Sequence, residues 1–291
     1  MAESAALIRR LEVDILVDLT GHTEGDHLAI LNYRPAPVQV NWLGYPGTDG
    51  APSLDYILAD RTVAPPGHEP FFSEKIVRLP DCYFPTAYDP CPPAPTRAEA
   101  GLSETGFIFA SFNNSWKITR DVFSVWLRLL KAVPGSVLWL LDANDAFQSN
   151  LRRAASAAGL DPARLIFAPR IDTDSHLARQ QLADLMLDTS PYNGHMTTSD
   201  ALWVGVPLVT MLGTAFAGRV AASQLETMGL PELITSSLED YEALALALAK
   251  DPARLAALRA KLAAARASSP LFDSDRMRQN IEDALLAMET A

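Results

Sequence analysis

The stretch from residue 185 to residue 211 reads as strand, turn-rich loop, helix and strand, and it constrains what the whole chain can fold into. An apolar run over Leu185–Leu187 stops at Asp188, and a loop carrying Ser190, Pro191, Asn193 and Gly194 follows. A cluster of Thr197, Thr198 and Ser199 then suits a helix start, and a second apolar run begins at Leu208. A strand that feeds a helix start in this way leaves free backbone N–H groups pointing at the loop, where an anion can be held. A phosphate or diphosphate is the guest such a unit fits.

The same alternation recurs along most of the chain. Residues 3–11 read as a helix and 13–19 as a buried strand ending at Thr20, Gly21 and His22. Residues 38–42 form a second strand running into the turn Gly44-Tyr45-Pro46-Gly47-Thr48, and 56–59 a third. Further strands at 107–111, 137–141 and 165–168 alternate with helices at 120–133, 146–158 and 174–183. Helices at 219–228, at 252–267 and from 274 to the end complete the pattern. Strands and helices in alternation predict an α/β fold of parallel sheets with helices on both faces. The prolines of residues 80–97, Pro85, Pro90, Pro92, Pro93 and Pro95 among them, suit a linker rather than a helix or central strand. They divide the chain into residues 1–100, residues 101–270 and a C-terminal helix, 271–291.

Composition narrows the partners. With 48% apolar and 20% charged residues the chain has an ordinary globular make-up. A net charge of -11 argues against a nucleic-acid partner, which calls for a basic face. A nucleotide is still allowed, because one lysine and a helix start suffice for it. Cys82 and Cys91 form neither a disulfide framework nor a Cys-x-x-Cys pair. The first residues lack the apolar core of a signal peptide, and no apolar run nears the ~20 residues of a membrane span. A cytoplasmic chain with no membrane partner is expected.

Several residues could carry chemistry. Asn113-Asn114-Ser115-Trp116-Lys117 follows a strand, and ligands of open α/β sheets bind at strand carboxyl ends. Lys117 can meet a diphosphate as a point charge, and the asparagine side chains can reach a base or sugar. The turn Asn193-Gly194-His195 aims an imidazole at the next helix start, where Thr197 and Asp200 fit a capping box. His22 stands at the end of the first strand. His27 and His68 read as solvated or inert loop residues, and His176 as a first-turn helix residue. The two Asp-x-Asp pairs, Asp172/Asp174 and Asp273/Asp275, both precede helices, where acids favour the positive end of the dipole, so no metal site is expected. No phosphate-binding Gly-x-x-x-x-Gly-Lys-Ser/Thr loop, Gly-x-Ser-x-Gly elbow or His-Glu-x-x-His pair occurs.

These residues fall within segments that resemble the catalytic region of the O-GlcNAc transferase family, in particular its bacterial relatives. The segments are Ile15-Leu-Val-Asp-Leu-Thr-Gly-His-Thr23, Arg34-Pro-Ala-Pro-Val-Gln39, Trp42-Leu-Gly-Tyr-Pro-Gly-Thr48 and Phe112-Asn-Asn-Ser-Trp-Lys-Ile118. Gln181-Leu-Ala-Asp184, Asn193-Gly-His195, Arg219-Val-Ala-Ala-Ser-Gln224 and Ser268-Ser-Pro-Leu-Phe272 follow in the same order. The resemblance runs from about Leu7 to about Met288. It implies two facing Rossmann-like lobes of GT-B type, with N-acetylglucosamine passing from UDP-GlcNAc to Ser/Thr hydroxyls of a protein acceptor. Inversion, no metal and no cofactor beyond the donor substrate are implied with it.

By position, the resemblance gives Lys117 the charge of the departing diphosphate and lines the same pocket with Asn114 and Trp116. His176 lies against the uracil, His195 and Thr197 serve the phosphates, and Asp200 holds the ribose or braces the loop. Leu43 and Gly44 touch the sugar, and His22 is the candidate base. Met196 stands where the family usually carries threonine, which implies weakened donor binding. The match also begins partway through the family's N-terminal lobe, with no tetratricopeptide array before it. That implies an incomplete N-terminal lobe, completed by a further segment or left as a nucleotide-sugar-binding module without turnover.

Overall fold

A computed structural model describes residues 1–289, and the end of the C-terminal helix expected at 290–291 lies outside the described residues. Two wholly parallel sheets carry the fold. The N-terminal sheet holds β1 (Ile15–Asp18), β2 (Val38–Asn41), β3 (Tyr56–Ala59) and β4 (Lys75–Arg78) in that order, after helix α1 (Ala2–Arg10). The strand β4 was not read from the sequence, because Lys75 and Arg78 flank only two apolar residues and leave no run to notice.

The C-terminal sheet is larger and differently wound. Strands β5 (Ile108–Ser111), β6 (Val137–Leu141) and β7 (Leu165–Ala168) alternate with helices α2 (Arg120–Ala132), α3 (Asp145–Ala157) and α4 (Thr173–Gln180). Then come β8 (Leu185–Leu187), α5 (Met196–Trp203), β9 (Leu208–Met211), α6 (Val220–Thr227) and β10 (Ile234–Thr235). The sheet order is β10-β9-β8-β5-β6-β7, so β8 returns to the far side of β5. Between β5 and β8 the winding reverses, which opens the crevice where ligands of such sheets bind.

Helices α7 (Leu238–Lys250), α8 (Pro252–Arg266) and α9 (Ser274–Glu289) complete the chain. Like β10, α7 was missed in the sequence, since its Ala/Leu-rich run has no sharp apolar stripe. In place it packs on α2, with Trp126 Nε1–H donating to the buried Tyr241 hydroxyl at 3.1 Å. Among the described residues no helix is long and apolar enough to cross a membrane.

The proline-rich segment between β4 and β5 is tied down rather than free. Gln181 Nε2 donates to the Pro92 carbonyl at 2.9 Å, and Arg97 pairs with Asp184. Tyr88 stacks on Trp203 with ring centroids 5.2 Å apart. Helix α9 then crosses back, where Arg276 Nε donates to Asp81 Oδ2 at 2.6 Å. The lobes also meet directly through Asp60 at the end of β3. Its Oδ1 accepts from the N–H groups of Thr62 and Val63, while Oδ2 accepts from Tyr83 N–H and, at 2.6 Å, from the Ser223 hydroxyl.

Candidate functional site

The loops after β5 and β8 meet at the reversal of the C-terminal sheet. Lys117, in a short turn that follows β5, donates from Nζ to the Asn193 carbonyl at 2.8 Å. Its ammonium lies 4.2 Å from the centroid of the Tyr192 ring and 5.4 Å from that of Trp116. Burial pulls this lysine down to about 8, and the charge of Asp188 opposes the fall. Trp116 stands 65% exposed, edge-on to Tyr192, so its ring forms a wall of the crevice.

The turn at 193–195 is held from all sides. Asn193 N–H donates to Ala217 O at 3.0 Å, and Asn193 Nδ2 donates to Thr189 O at 3.0 Å. His195 stacks on Tyr192 and places Nε2 3.3 Å from Ala217 O. That contact makes Nε2 the protonated nitrogen and leaves Nδ1 as the acceptor. Burial first, then the charge of Lys117, push His195 down to about 3, so it is neutral at pH 7. Its help to a phosphate is therefore that of a dipole, not of a cation.

His195 is also the N-cap of α5, and it makes no side-chain capping bond. The helix opens with Met196 and Thr197, whose backbone N–H groups belong to the first, unsatisfied turn. The capping box expected from Thr197 and Asp200 is not formed. The Thr197 hydroxyl turns to Asn113 Oδ1 at 2.7 Å, and Asp200 Oδ1 accepts from the Tyr88 hydroxyl at 2.8 Å. Tertiary partners outcompete the local cap at both residues. Burial pushes Asp200 up to about 6, partly offset by the bond from Tyr88. Met196 is 53% exposed, with Sδ 3.5 Å from that same hydroxyl.

The two asparagines divide. Asn113 is 5% exposed and bonded to Thr197 and Asp188, so it is a structural tie and does not reach a base or sugar. Asn114 is exposed, and its Oδ1 accepts from Arg170 at 3.2 Å. His176, in the first turn of α4, lies edge-on to Phe112 and accepts from Arg179 Nη2 at Nδ1, 2.8 Å away. Burial, then Arg179 and Arg170, push it down to about 4. A cavity of about 560 Å³ adjoins this corner, lined by Trp139, Pro169, Ile171 and Arg179. Of the Asp-x-Asp pairs, Asp172 and Asp273 cap helices, accepting from Ser175 N–H at 3.0 Å and Arg276 N–H at 2.9 Å.

In the N-terminal lobe, the loop after β2 faces the C-terminal lobe and packs against the loop after β1. Leu43 holds φ at +80°, a costly backbone state for a branched residue. A Cβ on Gly44 would stand 2.2 Å from Leu19 O, so only glycine lets the two loops touch. The contact carries His22 into place: Nε2 lies 2.6 Å from Asp49 Oδ1 and 2.8 Å from Asp49 O, with the ring edge-on to Tyr45. Burial raises Asp49, while His22 counters it. Burial, then the neighbouring Tyr45 phenol, push the Tyr192 phenol up. Beside it a cavity of about 530 Å³ runs between the lobes, lined by Tyr45, Thr48, His68 and Phe216. His68, expected to be inert, thus stands on an interlobe wall.

Sequence reading missed Tyr192, Tyr88, Asp49 and Arg179, and it gave Asp188 no role beyond ending a strand. Asp49 joins His22 across 27 residues and Tyr88 joins Asp200 across 112, separations that carry no local signal. Among the described residues no group of three or more His, Cys, Asp and Glu could hold a metal ion.

Comparison with known proteins identifies the family and the fold. The family model described as glycosyl transferase family 41 matches residues 1–89 and 92–281. The chain is 40% identical over 292 residues to a probable UDP-N-acetylglucosamine–peptide N-acetylglucosaminyltransferase, SEC, of Arabidopsis thaliana, covering 98% of this chain and 30% of the relative. It superimposes on the K341M mutant of the Thermobaculum terrenum O-GlcNAc transferase with a TM-score of 0.91 and 34% identity, covering 99% of this chain and 55% of that one. The glycosyltransferase WaaG, at 13% identity and a TM-score of 0.57, shares the fold alone. The two parallel-sheet lobes are those of a GT-B glycosyltransferase. The chain belongs to glycosyl transferase family 41.

Proposed function

We propose that this chain is the catalytic part of a protein O-GlcNAc transferase, moving N-acetylglucosamine from UDP-GlcNAc to a Ser/Thr hydroxyl with inversion and without a metal. The observation that carries the reading is the meeting of the Lys117 ammonium with the uncapped start of α5 at the β5/β8 reversal. The ammonium is bonded to the Asn193 carbonyl, two residues before the N-cap of α5, so a cation and a helix start stand on the same turn, which suits a diphosphate that gains charge as it leaves.

In this reading the uracil lies against His176, with Arg179 behind it. Asp200 receives the ribose, its carboxylate steadied by Tyr88. The phosphates rest between Lys117 and the N–H groups of Met196 and Thr197, with Asn114 and Trp116 on the flank and neutral His195 beneath. Leu43 and Gly44 face the sugar. The acceptor hydroxyl attacks the anomeric carbon from the N-terminal side and gives its proton to Nδ1 of His22, whose Nε2 is turned to Asp49. The bond from the anomeric carbon to the β-phosphate oxygen breaks, and its electron pair goes to UDP. Lys117 takes up that charge, and holding both reactants in line supplies much of the remaining rate.

Calorimetric titration with UDP tests the reading, wild type against Lys117→Ala, followed by a UDP-GlcNAc turnover assay. Binding that weakens about a hundredfold in the variant, with turnover by wild type, is the expected result. Binding without turnover would make the chain a nucleotide-sugar-binding module. A folded wild type that ignores UDP ends the donor reading.

A further inference from the structure

Beneath the donor turn lies a carboxylate with no part in the steps above. Asp188 is 1% exposed and directly follows β8. Its Oδ1 accepts from the N–H groups of Gly194 at 2.6 Å and Thr189 at 2.8 Å, and from Asn113 Nδ2 at 3.4 Å. Its Oδ2 accepts from the Thr210 hydroxyl at 2.6 Å, and its backbone carbonyl accepts from Tyr241 at 2.9 Å. One side chain therefore ties together the loop after β5, the loop after β8 and strand β9.

A buried ion is costly, and a neutral side chain could tie loops at less cost. The burial is felt, pushing Asp188 up to about 6. Lys117 holds the carbonyl of Asn193 at 2.8 Å while Asp188 holds the N–H of the next residue, Gly194, so the two charges grip the same turn and oppose each other's burial. The other titratable groups packed around the pair are Tyr192 under the ammonium, His195 at the start of α5 and Tyr241 on α7, none of them charged at neutral pH.

We propose that Asp188 is a positioning residue for the donor site: it fixes the backbone of the 193–195 turn and, by its negative charge, keeps Lys117 in the ammonium form that meets the diphosphate. The inference rests on the donor reading. Lys117 loses its proton as pH rises through about 8 while Asp188 is ionised. Without that charge the loss comes at lower pH, and fewer molecules carry the cation at neutrality.

Asp188→Asn is the discriminating variant, because an amide can turn Oδ1 to the Gly194 and Thr189 N–H groups and Nδ2 to Thr210. Two readouts apply. Carbon-13 NMR of dimethylated lysines follows Lys117 itself, assigned by the signal missing from Lys117→Arg. Calorimetry follows UDP affinity over the alkaline range, chosen because the terminal phosphate of a nucleotide titrates near neutrality on the acid side. The expected result is a Lys117 titration moved down by about one unit, with UDP binding weakened about twofold at pH 7 and about tenfold near pH 9. Should Asp188→Asn fail to fold, Thr210→Val serves in its place. It removes the hydroxyl that favours the ionised carboxylate, so Asp188 holds its charge less fully and Lys117 must lose its proton at lower pH; a Lys117 titration that stays at the wild-type position would overturn the charge role. A folded Asp188→Asn whose Lys117 titration and UDP profile superimpose on wild type overturns the proposal and leaves the donor reading standing. Wild type that binds no UDP overturns the donor reading itself.

Discussion

The two faces of the crevice are built to different standards. On the C-terminal face β5 and β8 are buried along their whole length, and the turn they support is bonded from four directions. On the N-terminal face β1 is only half-buried throughout, and His22 keeps half its side-chain surface open, with Asp49 as its hydrogen-bonding partner. Stability is not spread evenly through a fold, and loops with few buried contacts open most readily. In the proposed reaction, the donor's charge needs groups fixed before it arrives, whereas an acceptor protein has to enter and leave. On the proposed function, that contrast assigns donor affinity to the C-terminal lobe and turnover to the approach of the other.

Separating the two quantities is the hardest test of that division. Replacing His22 by alanine removes the proposed base without touching a phosphate contact. Release of UDP from UDP-GlcNAc should fall about a hundredfold, in the range general bases supply, with UDP affinity unchanged by calorimetry. A parallel loss of affinity would mean that the faces act as one, and the comparison fails.

The reverse change belongs to Gly194. A Cβ there would meet the Thr197 hydroxyl oxygen at 2.5 Å and that of Thr198 at 2.8 Å. Both hydroxyls are engaged, Thr197 with Asn113 and Thr198 with the Gly194 carbonyl at 3.0 Å. To admit a methyl group both must turn away, forfeiting two bonds at about 1 kcal/mol each. For Gly194→Ala we expect UDP affinity to drop roughly thirtyfold. The turnover rate at saturating donor should hold, which a KM-against-kcat comparison reads directly.

What could be read from the chain itself follows the same line. The βα rhythm is local, so most strands, the helices between them and the loops that follow them were legible. Lys117 and the 193–197 turn were legible for that reason: each follows a strand and opens a helix or turn. The strand β4 and helix α7 were hidden because a charged edge strand and an evenly apolar helix lack a clear period. The capping box at Thr197 and Asp200 misled, since its local pattern is real and its partners lie 84 and 112 residues away. The resemblance pointed to His176 against the uracil, but nothing in the sequence announced that Arg179 would hold its ring. Side chains acting through long-range partners become visible only once the sheet order brings them together.

The smallest effect is the most informative about how the donor face reads a phosphate. Met196 is the first residue of α5, and its side chain points outward, 53% exposed, touching the Tyr88 hydroxyl through sulfur. A helix start binds an anion through backbone N–H groups, which this side chain leaves intact. Met196→Thr adds a hydroxyl beside those groups at a position that tolerates it and forfeits only a weak sulfur contact. One further hydrogen bond of about 1 kcal/mol should tighten UDP about fivefold, with His22-dependent turnover unmoved. A gain of that size, measured by the same titration, makes the C-terminal face improvable by side chains. No gain means that backbone and Lys117 already saturate the phosphates, and the division between a fixed donor face and an open reacting face becomes sharper still.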